Sequence, residues 1–159
     1  MRVGDAMDLS AELCAVMSNR LAEIPELAGM VERFLQAFDV PGPTIFQINL
    51  ALEELIANTI NYGYRDDGDY AIRVTIAMAG REISIRIEDD AAPFDPFARA
   101  PVDTAAAIDD RGIGGLGIHL VKEMIDRVDY RRVGDRNHVT LRHSYAPAAA
   151  DDRVGERED

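Results

Sequence analysis

Between residues 70 and 88, apolar side chains fall on alternate positions: Tyr70, Ile72, Val74 and Ile76, then Ile83, Ile85 and Ile87. A period of two is the mark of β-strands with one apolar face. Ala79-Gly80-Arg81 between the two runs reads as their hairpin connection. Such a sheet must be covered on one side. The preceding residues supply the cover. Leu27, Met30, Val31, Phe34, Leu35 and Phe38 form a helical stripe over residues 24–38, with Glu26, Glu32 and Arg33 off it. After the break Val40-Pro41-Gly42-Pro43, a second helix is expected from about Thr44 to Tyr62. Pro43 suits its first turn and Gly63 its C-cap. Its core face is expected to carry Phe46, Ile48, Leu52, Leu55, Ile56 and Ile60.

The remaining segments fit the same plan. Leu13–Ser18 reads as a first strand. Gly112–Gly117 opens a helix through Ile118, Leu120, Val121, Met124 and Ile125. Val128–Arg132 and His138–His143 read as a closing strand pair around Gly134-Asp135. Ala91–Asp110 is a long irregular stretch, of the kind that is either functional or disordered. The expected fold class is therefore α+β: a two-layer sandwich, with helices on one face of a mainly antiparallel sheet. The domain is expected to span residues 1–145, with a disordered charged tail over 146–159.

Composition limits the function classes. At 159 residues and 47% hydrophobic, the chain can bury a sizeable core. A formal net charge of −12 excludes a general binder of nucleic acid or anionic membranes. It leaves open a basic protein partner or a merely solvated acidic surface. A single cysteine, Cys14, excludes an internal disulfide and reads as a small core residue. No stretch approaches the roughly 18 apolar residues of a membrane helix, and the first residues lack the apolar run of a signal peptide. A cytoplasmic protein with no direct contact to membrane or nucleic acid is expected.

Three segments carry chemistry. On the second helix Glu54 and Asn58 stand one turn apart and Asn61 two turns from Glu54, so all three are expected on one side. A carboxylate and an amide so placed can hold hydrated Mg²⁺ through oxygen or orient a proton acceptor; equally, they can form a solvated helix face. Ile87-Glu88-Asp89-Asp90-Ala91-Ala92-Pro93-Phe94-Asp95-Pro96 carries a strand into an acidic turn. A buried carboxylate there can accept a hydrogen bond from an exocyclic amine such as that of adenine. Arg111-Gly112-Ile113-Gly114-Gly115-Leu116-Gly117 leads into a helix, where glycine backbone and free N–H groups suit a phosphate cradle as well as a hinge. It follows a loop, so it is not a dinucleotide fingerprint, and no Gly-Lys-Ser/Thr follows as in a Walker loop. His119 reads as a packed or surface side chain. Arg111 either meets phosphate or closes the acidic loop electrostatically.

In order and spacing, these segments resemble the three boxes of the GHKL (Bergerat-fold) ATPases, and most closely those of the bacterial anti-sigma-factor serine/threonine kinases. Residues 51–64 resemble the N box. Ile87-Glu88-Asp89 with Phe94-Asp95-Pro96 resembles the G1 box. Gly114–Val121 with Met124–Val128 resembles the G2 box and its helix, and Asn137–Leu141 the last strand. The resemblance covers roughly residues 10 to 143. It implies that Asn58 is the Mg²⁺ ligand, that Glu54 accepts the proton of a substrate serine or threonine, and that Asp89 binds the adenine amine. It implies ATP contacts from Asn58, Asn61, Asp89, Phe94, Arg111, Gly112, Gly114, Gly115, Leu116 and Gly117, and a mobile lid over residues 95–111. It further implies a STAS-domain antagonist as substrate, a sigma factor as partner, and a homodimer. A module that binds nucleotide and partner with little turnover is the alternative. A histidine-kinase catalytic domain fits less well, because no dimerisation helix pair with a phospho-accepting histidine precedes the boxes. One departure stands out. The G1 box of that family usually has glycine two residues after the aspartate, where this chain has Ala91. A methyl group there is expected to crowd the adenine or to forbid a positive φ.

Overall fold

The computed structural model describes residues 11–98 and 115–149. Strand β1 (Ala11–Ser18) leads through a 3₁₀ turn at Leu21–Glu23 into helix α1 (Ile24–Gln36) and helix α2 (Gly42–Asn58). Strands β2 (Ala71–Ala79) and β3 (Glu82–Asp89) follow, then helix α3 (Gly115–Met124) and strands β4 (Arg127–Val133) and β5 (Arg136–Ser144). The five strands form one sheet in the order β1-β2-β3-β5-β4, and every pairing is antiparallel. The expected α+β two-layer sandwich is what the chain adopts. Residues 145–149 have no helix or strand, and the rest of the expected tail lies outside the described residues.

The strand alternation decides which face the helices cover. Ile72, Val74, Ile76 and Met78 of β2, Ile83, Ile85 and Ile87 of β3, and Val139 and Leu141 of β5 are buried beneath them. Leu27, Val31 and Leu35 of α1, Ile48, Leu52, Leu55 and Ile56 of α2, and Ile118 and Val121 of α3 fill the other side of the same core. At about 25 cal/mol per Å² of apolar surface removed from water, this shared layer is the main term holding the sandwich together. Both tight hairpins turn at glycine. Gly80 (φ +58°) and Gly134 (φ +60°) take the left-handed backbone that a two-residue connection requires. Pro43 falls in the first turn of α2, as expected.

Two sequence expectations are corrected. Phe46 is 66% exposed, and Ile45 takes the core position instead. Residues 45, 48, 52 and 55 repeat at helical spacing, whereas Phe46 lies two residues, or about 200°, round the helix from Ile48. Cys14 is exposed. It shares a phase with Glu12 and Val16 on the outer face of β1, while Ala15 and Met17 point inward. That outer face also carries Arg73, Arg86, Glu88, His138 and Arg142, with Glu88 bridged to Arg86 at 3.5 Å and to His138 at 3.4 Å. Among the described residues no helix is long and apolar enough to cross a membrane.

Candidate nucleotide site

The end of α2 departs from α-helical geometry. Thr59–Gly63 forms a π-helical turn before the chain straightens at Tyr64 (φ −102°, ψ 143°). Wide turns of this kind interrupt helices chiefly at functional positions. Here the turn points backbone at the loop after β3, where Gly63 O accepts a hydrogen bond from Ala92 N at 3.0 Å. Between that loop, α2 and the strands β3 and β5 lies a concave cleft. Leu55, Asn58, Thr59, Gly63, Ile87, Asp89, Ala91, Ala92, Phe94, Pro96, Asn137 and Val139 line it. Apolar walls with a few convergent polar groups suit a flat heterocycle with one hydrogen-bonding edge.

Asp89, at 2% exposure, provides the acceptor. It is the last residue of β3 and points inward, in phase with Ile83, Ile85 and Ile87. A buried carboxylate needs partners, and the adjacent strands supply them. Asp89 pairs in register with Asn137 on β5, which in turn pairs with Arg132 on β4. Asn137 Nδ2 donates to Asp89 Oδ1 at 2.8 Å and to the carbonyl of Ala92 at 3.1 Å. Asn137 Oδ1 accepts from Tyr130 Oη at 2.8 Å and from Arg132 Nη1 at 3.0 Å. Arg132 Nη1 also donates to the carbonyl of Ala91 at 2.9 Å, and Ala91 N donates to Asp89 Oδ1 at 3.0 Å. Among the described residues, the hydrogen bonds to this carboxylate fall on Oδ1, and Oδ2 accepts none. Burial pushes the Asp89 carboxyl above the usual carboxylate range. The hydrogen bonds from Asn137 and Ala91 and the charge of Arg132 oppose that rise, while Asp90 adds to it.

Ala91 lines the cleft in an ordinary backbone conformation. Its φ is not positive: among the described non-glycine residues only Asp39 has a positive φ. Its methyl faces Gly63, where a Cβ would stand only 2.8 Å from the Ala91 Cβ. The methyl thus fills space that Gly63 leaves open, and Ala91 is 3% exposed.

The other expected residues divide into groups. Asn58 and Phe94 line the cleft with Asp89. Asn58 is half-buried, and no hydrogen bond engages its carboxamide among the described residues. Glu54, one turn earlier, lies against the first turn of α3 at Gly117. Asn61 is exposed and not among the cleft-lining residues, because the π-helical turn changes the phase of the side chains after Asn58. Gly115 begins α3, and Leu116 beside it is 47% exposed. His119 is half-buried on α3. Arg111, Gly112, Gly114 and nearly all of the expected lid lie outside the described residues. Sequence reasoning did not single out Asn137, Arg132 or Gly63 as site residues. A polar residue in phase with the buried Val139 and Leu141 was the available signal for Asn137, as was an arginine in phase with Val128 and Tyr130 for Arg132.

Residues 17–143 match the model of the histidine kinase-like ATPase domain. The chain belongs to this ATPase family. Membership implies use of ATP. Similar proteins include the serine/threonine-protein kinase BtrW of Bordetella bronchiseptica, 29% identical over 102 residues that cover 64% of this chain and 72% of that protein. The serine-protein kinase RsbW of Bacillus subtilis is 26% identical over 119 residues, covering 72% of this chain and 70% of its own length. An anti-sigma F factor of Clostridium novyi is 22% identical over 98 residues, covering 62% and 68%. The solved structure of the RsbU and RsbW domains of a Mycobacterium tuberculosis protein shares the fold, with a TM-score of 0.60 at 15% identity over 84% of this chain. The present chain spans 32% of that longer one.

The metal expectation is compatible with these side chains. Among the described residues no three His, Cys, Asp or Glu side chains come together as a protein cage for a metal ion. Mg²⁺ rarely needs one, since it commonly rests on one or two protein oxygens plus phosphates and water. The carboxamide of Asn58 at the cleft wall, with no hydrogen bond among the described residues, carries an oxygen of that chemical kind.

Proposed function

We propose that this chain is an ATP-dependent protein serine/threonine kinase of the anti-sigma-factor type, that its substrate is a STAS-domain antagonist, and that it binds a sigma factor and works as a homodimer. One observation carries the reading: the adenine-type acceptor Asp89, the free amide of Asn58 and the carboxylate of Glu54 follow one another from the floor of the cleft to the first turn of α3. That order matches the adenine, the metal-bound phosphates and the nucleophile of a phosphoryl transfer. The names of the relatives point to the same chemistry.

Phosphoryl transfer depends mainly on positioning and on neutralising charge. Mg²⁺, held by Asn58 when bound, would offset the negative charge of the phosphates. Asp89 Oδ2 accepts from the adenine amine, while the apolar walls at Leu55, Ile87 and Val139 hold the ring and keep water out. Asn58 supplies its carboxamide oxygen to the metal. Glu54 orients the incoming hydroxyl and takes its proton. The backbone of the glycines that precede Gly117, from Gly112 to Gly115, receives the phosphates.

The test is transfer of labelled phosphate from Mg²⁺–ATP to a cognate STAS protein by wild type and Glu54→Ala. The variant should keep ATP affinity within about 3-fold and lose transfer by about 10²–10⁴-fold, the usual worth of a general base. Undiminished transfer by Glu54→Ala removes its assigned role. ATP binding by wild type without transfer points to a binding module, and absence of ATP binding overturns the reading as a whole.

A further inference from the structure

Gly117 stands in the first turn of α3, and the place where its side chain would be is occupied by Glu54. A Cβ on Gly117 would lie 1.7 Å from Glu54 Oε2, 2.4 Å from Cδ and 3.1 Å from Cγ. A methyl group at 117 and this position of the Glu54 carboxylate therefore exclude each other. The two backbones are fixed by burial on either side. Leu55 and Ile56 anchor α2 directly after Glu54, and Ile118 and Val121 anchor α3 directly after Gly117. Among the described residues no hydrogen bond or ion pair holds the Glu54 carboxylate. The space left by Gly117 is what accommodates it among the described residues.

We infer that Gly117 is a positioning residue for the phosphoryl-transfer step: its missing side chain is the seat that holds the Glu54 carboxylate in place. This deepens the kinase reading and rests on Glu54 as the base. A flexible side chain without a polar partner spreads over several rotamers. A close wall of backbone limits that spread without neutralising the carboxylate through a salt bridge. A base so held stays available to a substrate hydroxyl. Replacing the wall by a methyl pushes the carboxylate to another rotamer and leaves the helices where they are.

Gly117→Ala, Glu54→Ala and the double variant separate this from the simpler view that Gly117 only lets phosphate approach. In Gly117→Ala, kcat for transfer should drop at least tenfold while KM and Kd for ATP stay within about threefold, since a misplaced base affects the chemical step more than ground-state binding. Thermal unfolding gives a readout free of kinase activity. Alanine is favoured over glycine inside a helix. In the Glu54→Ala background, where the seat is empty, Gly117→Ala should therefore raise Tm, whereas with Glu54 present the gain should be absent or reversed. Equal Tm changes in the two backgrounds overturn the seat, as does wild-type kcat in Gly117→Ala. Weakened ATP binding of equal size in both backgrounds assigns Gly117 to the phosphates and overturns it too. A Glu54→Ala variant that still transfers phosphate defeats the base assignment instead, and leaves the Tm comparison to judge the seat separately.

Discussion

Asn137 Nδ2 lies 2.8 Å from Oδ1 of Asp89, and this one hydrogen bond joins the acceptor at the floor of the cleft to the neighbouring strand. The same amide takes hydrogen bonds from Tyr130 and Arg132 on its oxygen, so its orientation is fixed from both ends. Asp89 thereby has one oxygen engaged by protein and the other free of hydrogen bonds among the described residues.

Truncation of this amide has a defined cost. Asn137→Ala removes a partner from Asp89, Tyr130 and Arg132 at once. Buried groups left unsatisfied cost about 1–3 kcal/mol. Urea unfolding should show a loss of that order, and calorimetric titration should show ATP affinity reduced about tenfold or more. An unchanged Kd for ATP in a folded Asn137→Ala protein would remove Asn137 from nucleotide recognition.

Acidity acts on Asp89 in two opposite ways. Its carboxyl is raised by burial, so the folded chain holds that proton more tightly than the unfolded chain does. At this site stability therefore falls as pH rises from the ordinary carboxylate value to the raised one. With Asp89 as the proposed adenine acceptor in its ionised form, ATP affinity should fall as pH drops through the same window. Parallel titrations of Tm and Kd in wild type and Asp89→Asn measure both slopes as differences. Identical pH profiles in the two proteins would contradict both expectations.

The contact between Gly63 and Ala91 predicts a reciprocal exchange. Gly63→Ala alone brings two methyl carbons to 2.8 Å and should destabilise the cleft and weaken ATP binding. Ala91→Gly alone loosens the loop after β3 and should cost about 0.4–1 kcal/mol through the unfolded state, with ATP affinity little changed. The double exchange should recover most of the stability lost by Gly63→Ala. Additive losses in the double variant would show that the two positions act separately.

Much of this was legible in the sequence. The alternation in residues 70–88 located β2 and β3, and the glycines at 80 and 134 marked both tight hairpins. Asn58, Asp89 and Phe94 meet at one cleft, as their order along the chain suggested. What escaped was set by neighbours rather than by residue type. Phe46 reads as core by its chemistry but lies off the stripe of Ile45, Ile48 and Leu52. Asn61 keeps helical spacing to Glu54 only while the helix stays α-helical, and the turn at Thr59–Gly63 breaks that phase. The packing of the Ala91 methyl against Gly63 was not legible, because the two residues are far apart in sequence.

The strand order has a consequence for how nucleotide competence arises during synthesis. The hydrogen bonds that brace the cleft join residues 48, 46 and 41 positions apart, at Asn137–Asp89, Asn137–Ala91 and Arg132–Ala91. β5 inserts between β3 and β4, so β3 keeps an open edge until residues 136–144 have left the ribosome. Pairings of such range close late and slowly compared with local turns. A nascent chain stopped before residue 136 has all three helices and the β2–β3 hairpin but lacks Asn137, the side-chain partner of Asp89. Under the proposed function, nucleotide capture should therefore report completion of the domain through β5.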